Sequence, residues 1–184
     1  MEKKRGYLII LPALVIGLFL LLVSPELFRR GREEPAPAPQ PAAEERTVVV
    51  RLYFANQEYV ESGREDLPMF KAVDREVKYK GDDLIDVVLQ ELRKPPAKEG
   101  LSTALHEQLT IRQAWVEGDL AYVDFSSENL HGGSLQETLL VHQIVRTVTG
   151  LPGIKQVQFL VNGEKAESLM GHIATNEPLS LENL

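Results

Sequence analysis

The chain has 184 residues, with 20 Lys and Arg against 27 Asp and Glu, a formal net charge of −7 and no cysteine. The acidic balance, without a basic stripe, argues against nucleic-acid binding, which relies on neutralising phosphates. The lack of cysteine excludes disulfides, thiolate zinc sites and a thiol-linked lipid anchor.

The most apolar stretch is Tyr7–Val23, seventeen residues without a charge, preceded by Lys3, Lys4 and Arg5. As a helix it would be ~26 Å long, enough to cross a hydrocarbon core. A secretory signal peptide has the same layout. The best small-residue cleavage motif, Ala36-Pro37-Ala38, lies well beyond the run and is followed by Pro39, so an uncleaved anchor is the favoured reading. Basic residues flank both ends, at 3–5 and at Arg29, Arg30 and Arg32. The short basic tail, residues 1–6, favours an N-terminus inside and a C-terminal domain on the extracytoplasmic side. Residues 24–46 form a linker. Its 33–46 part, EEPAPAPQPAAEER, is Pro/Ala-rich and would span ~40 Å as an extended spacer.

Residues 47–184 carry 13 Lys and Arg against 21 Asp and Glu, a net of −8, and are long enough for one domain with its own core. Thr47–Phe54 alternates as a strand, Ala55–Leu67 reads as a loop, and Pro68–Tyr79 as a second extended segment. Gly81-Asp82 opens a helix with Asp82 or Asp83 as N-cap. Its apolar face is Leu84, Ile85, Val88, Leu89 and Leu92, and Lys94-Pro95-Pro96 stops it. Ala97–Glu107 reads as a loop. Leu109–Val116 and Leu120–Phe125 form a hairpin around Glu117-Gly118-Asp119, with Trp115 and Tyr122 as packing residues. Ser126–Gly133 is a polar loop. Ser134 and Glu137 have the spacing of a capping box at the start of a second helix, which runs to about Thr149 with a stripe of Leu140, Val141, Ile144, Val145 and Val148. Gln156–Val161 is a strand, Asn162-Gly163 a tight turn, and the tail to Leu184 irregular, with Pro178 and room for one short extended piece. No internal repeat is present.

The order β-β-α-β-β-α-β predicts an α+β domain: one mainly antiparallel sheet with two helices packed on one face, preceded by a transmembrane helix.

Leu120–Ser126 (LAYVDFS), the helix end Gln143–Thr149 (QIVRTVT) and Pro152–Gly163 (PGIKQVQFLVNG) resemble the GerMN-domain family of sporulation and spore-germination proteins. Val50–Phe54, Leu89–Pro95 and Leu101–Leu105 are similar to its opening strand, the end of its first helix and the segment after it. Lys94, His106, Phe125 and Asn162 depart from the family pattern, all at positions that fit structural roles. The resemblance implies a domain akin to ring-building modules of envelope machines, in proteins that are extracytoplasmic and usually lipid- or membrane-anchored. It further implies envelope or sporulation-machinery proteins as partners, with oligomerisation possible.

No constellation for catalysis, cofactor or metal binding stands out, and no binding residue is singled out. His106, His131, His142 and His172 have no His or Cys partner at ligand spacing. Asp124, Ser126 and His131 are close in sequence, but no nucleophile elbow accompanies them. Asp82, Asp83 and Asp86 lack the pattern of a calcium loop and read as helix-start carboxylates. Gly132-Gly133 lacks a phosphate-binding lysine and reads as a flexible helix entry. Tyr53, Tyr59, Tyr79, Trp115 and Tyr122 are the aromatics available to a sugar, several of them expected to be buried. The sequence therefore predicts a membrane-anchored, extracytoplasmic, non-catalytic interaction or scaffold domain; the alternative is a binding module for a cell-wall glycan or small ligand.

Overall fold

The computed structural model describes residues 44–96 and 100–184. Tyr7–Val23 lies outside them, as does most of the linker. Among the described residues no helix is long and apolar enough to cross a membrane.

Strand β1 (Glu45–Asn56) begins within the expected linker and pairs antiparallel with β2 (Phe70–Lys80) along its length, from Glu45↔Lys80 to Ala55↔Phe70. Alternation puts Val50, Leu52 and Phe54 in the core and leaves Val49 63% exposed. Between the two strands, where a loop was expected, Gln57–Ser62 forms a short helix, α1. It buries no residue, so it has no apolar stripe to announce it. Gly63 ends it at φ 65, donating its N–H to the Tyr59 carbonyl at 2.9 Å.

Helix α2 (Leu84–Leu92) buries Ile85, Val88, Leu89 and Leu92, and Asp83 holds its N-cap position without a side-chain cap bond. The Arg93 guanidinium just past its end donates to the carbonyls of His106 (2.6 Å) and Leu109 (2.8 Å), tying the following loop to the helix. That loop contains a two-residue strand, β3 (Leu101–Ser102), paired with the end of β1. Strands β4 (Ile111–Glu117) and β5 (Leu120–Phe125) form the expected hairpin. Gly118, at φ 65, takes the first turn position, which hairpin turns of the II′ kind reserve for glycine.

Helix α3 (Ser134–Val148) leads to β6 (Gln156–Val161), and β7 (Glu164–Lys165) follows. Asn162 and Gly163, at φ 54 and 88, make the two-residue β6–β7 turn, the pattern of a type I′ hairpin. The short extended piece of the tail falls at Leu179, which exchanges backbone hydrogen bonds with Val157, each 2.8 Å.

The single sheet expected from the sequence is instead two, ordered β2-β1-β3 and β4-β5-β6-β7. The side chain of a helix separates them. Tyr53 N–H, on the edge of β1 away from β2, donates to Thr147 Oγ1 of α3 at 3.1 Å, and Thr147 is fully buried. The helix thus takes the place where another strand would have to pair. Nor do the helices share one face of one sheet: each touches both sheets, α2 through β1, β2 and β4, and α3 through β1 and β6. The second sheet is also not purely antiparallel. Strands β5 and β6 run parallel, from Leu120↔Gln156 to Phe125↔Val161, because α3 supplies the crossover that a parallel pair needs.

Candidate functional site

The expected capping box is absent. Gly133 occupies the N-cap of α3 without a side-chain cap bond, and Ser134 lies inside the helix with its carbonyl accepting from the Thr138 hydroxyl. Glu137 is fully buried and points elsewhere. Its Oε1 accepts from the backbone N–H of Leu169 (2.9 Å) and Met170 (2.8 Å), its Oε2 from those of His172 (2.7 Å) and Ile173 (3.3 Å). One carboxylate therefore clamps residues 169–173 over the start of α3, satisfying a charge that burial would otherwise make costly. Gly132 lies under the same strap. A Cβ there would come within 2.7 Å of the Gln136 side chain and 2.9 Å of the Met170 sulfur, the ends of two flexible side chains that would have to move aside. No local signal in the sequence links Glu137 to a loop more than thirty residues away.

A second lock joins two of the stretches that carry the family likeness. Asp124, 3% exposed, receives the Arg112 guanidinium (3.0 Å) and the Gly163 N–H (2.8 Å). Asn162 in turn accepts from the Ser127 N–H and donates to the Ser127 hydroxyl. Asp124 is thus committed to the β6–β7 turn. Ser126 accepts from the Glu128 N–H, the His131 N–H donates to Asn129, and no hydrogen bond joins Asp124, Ser126 and His131. The His142 ring stacks on Phe70 at 6.3 Å; burial and the nearby Arg146 push its pKa down. His172 Nε2 lies 3.3 Å from the Gly132 carbonyl. Among the described residues no three His, Asp or Glu side chains are grouped to hold a metal ion.

Tyr53, Tyr59, Tyr79, Trp115 and Tyr122 are all half-buried rather than buried. Trp115 and Tyr122 are cross-strand partners whose rings stack 4.8 Å apart within 6° of parallel. Trp115 also lines an open cleft of about 660 Å³ between the start of α2, strand β4 and the turn after α3. Asp82, Asp83 and Asp86 face this cleft, with Arg46, Tyr79 and Val116. Burial, and then the charge of Asp83, push the Asp86 pKa up. A smaller groove continues along α2 and β4 from Asp86 to Arg112. The cleft joins residues the sequence left in separate roles: the helix-start carboxylates and the hairpin aromatic.

A family profile described as sporulation and spore germination, Germane, matches residues 51–167. The chain belongs to the Germane family. A search of curated proteins found no match. Among solved structures, the first GerMN domain of the sporulation protein GerM from Bacillus subtilis superposes with a TM-score of 0.57 at 19% identity, covering 73% of this chain and 98% of that one. The tandem GerMN domains of the same protein give 0.51 at 22% identity, covering 80% and 49%. A Clostridium perfringens protein provisionally classed as a lipoprotein gives 0.50 at 20%, covering 75% and 89%. These likenesses establish the fold of this Germane domain, a mixed α+β arrangement of antiparallel pairs and helices. Both GerMN-like motifs that meet at Asp124 fall within the matched region.

Proposed function

We propose that this chain is a membrane-anchored, extracytoplasmic, non-catalytic interaction domain serving sporulation, spore germination or assembly of the cell envelope. The observation that carries the reading is family membership across residues 51–167. The apolar Tyr7–Val23 run followed by a Pro/Ala spacer supports single-pass attachment to the cytoplasmic membrane. The lipoprotein class of the Clostridium relative is consistent with an envelope location. The site chemistry agrees: the buried carboxylates of Glu137 and Asp124 are consumed in holding loops, whereas the exposed features are sheet edges and an open cleft suited to a macromolecular partner.

The test is in-cell crosslinking and pull-down of the full-length tagged protein from growing and from starved cells. Recovery of sporulation-channel or wall-machinery proteins, mainly from starved cells, is the expected result. Recovery of no protein in either state overturns the interaction reading.

A further inference from the structure

Strand β4 is an edge. Among the described residues it pairs only with β5. The β4–β5 turn has two residues between Glu117 and Leu120, which makes those two a hydrogen-bonded pair, and such pairs alternate along an antiparallel ladder. Ala114 and Val116 therefore fall at non-hydrogen-bonded positions opposite Val123 and Ala121, and their backbone N–H and C=O groups face away from β5. Both residues line the cleft beside α2, and the Val116 side chain is 41% exposed. An unpaired strand running beside a helix, with a groove between them, is the geometry that accepts an extended peptide by strand addition.

Charge says what kind of peptide fits. Asp82, Asp83 and Asp86 face Arg46 in the cleft, three carboxylates against one guanidinium. None of the three has a salt-bridge partner among the described residues, although exposed pairs form elsewhere, such as Arg51–Asp74 at 2.8 Å and Lys155–Asp119 at 3.0 Å.

We propose that the free edge of β4 binds an extended basic segment of a partner protein as an added strand, its Lys or Arg side chains set against Asp82, Asp83 and Asp86. This rests on the interaction reading above and gives that reading a surface and a partner chemistry. Backbone pairing at Ala114 and Val116 supplies the docking, and alternate side chains of the segment meet the carboxylates.

The test is fluorescence anisotropy with full-length protein in a non-ionic detergent and a labelled Lys-Val-Lys-Val-Lys-Val-Lys peptide, against the matching Glu-Val peptide. The basic peptide binds, salt weakens it, and the acidic one does not bind. Val116→Pro removes an N–H that the β4–β5 ladder does not use and weakens binding about tenfold or more. The near-ultraviolet circular dichroism of the Trp115–Tyr122 pair shows whether the hairpin survives. If it does not, the Asp83→Asn/Asp86→Asn protein decides, with a loss of about tenfold expected. Failure of the basic peptide to bind overturns the proposal, as does binding that the folded variants leave unchanged. Partners captured in cells alongside that failure would sink the β4 site and leave the interaction reading standing.

Discussion

The two ends of helix α3 are finished differently. At its start, a buried carboxylate meets four backbone amides and binds the C-terminal strap in place. Past its end, the turn at Leu151 and Pro152 borders an open cleft whose carboxylates have no cationic partner among the described residues. Both regions contain acidic side chains near helix starts, yet one is committed to the fold and the other is not. The difference lies in what each carboxylate faces. Glu137 is fully enclosed and must be satisfied internally, whereas Asp82 and Asp83 face solvent and Asp86 is only partly screened from it, so all three stay free to meet a partner.

The sharpest way to break this contrast is Glu137→Gln. The amide has one acceptor oxygen in place of two and turns an NH2 toward N–H donors. A loss of about 3 kcal/mol is expected from the shift in urea midpoint, with residues 169–173 gaining fast hydrogen exchange. A loss below ~1 kcal/mol would mean the strap is not held by this group.

Thr147→Val tests the joint between the two sheets. It keeps the shape and deletes the acceptor of the Tyr53 N–H, so a cost of about 1–2 kcal/mol is expected. An unchanged midpoint would show that the edge of β1 finds water instead.

At the open end the sign reverses. The fold raises the Asp86 pKa, so its folded form holds its proton more tightly than the unfolded chain does. The associated stability is present below the unfolded value of about 3.9 and is lost as pH rises through the folded one. Asp86→Asn should therefore raise the unfolding midpoint at pH 7 and leave it unchanged near pH 3. A lowered midpoint at pH 7 would reveal a favourable contact for this carboxylate.

The smallest effect is expected of Ser134→Ala. Its side chain makes no cap bond, so the change in midpoint should stay within ~0.5 kcal/mol. A loss near 1 kcal/mol would restore the capping box that the sequence spacing suggests.

That spacing is instructive, because Ser134 and Glu137 fit a local rule while Glu137 answers a distant need. Elements were legible wherever apolar periodicity is strong: the face of α2, the stripe of α3, the β4–β5 hairpin and β6 all lie close to where the pattern puts them. Helix α1 was not legible, because six residues that bury nothing leave no periodic trace. Strand β3 was hidden by its length of two residues. The likeness in the Asp124 and Asn162-Gly163 segments was readable as sequence; that one carboxylate ties them together was not. The cleft could be read only as parts, since Asp86 and Trp115 stand on different elements.

The sequence by itself determined the strongly periodic elements, the turn glycines, the family and the candidate anchor, because periodicity, backbone sterics and composition act over a few residues. Only the tertiary structure decided that there are two sheets, that Thr147 closes the edge of β1, that β5 and β6 run parallel, and that Glu137 serves the strap rather than its own helix. Those outcomes depend on which buried polar groups meet across long chain separations. Hydrogen bonding inside a core is settled by the three-dimensional position of each donor and acceptor, which no local pattern records.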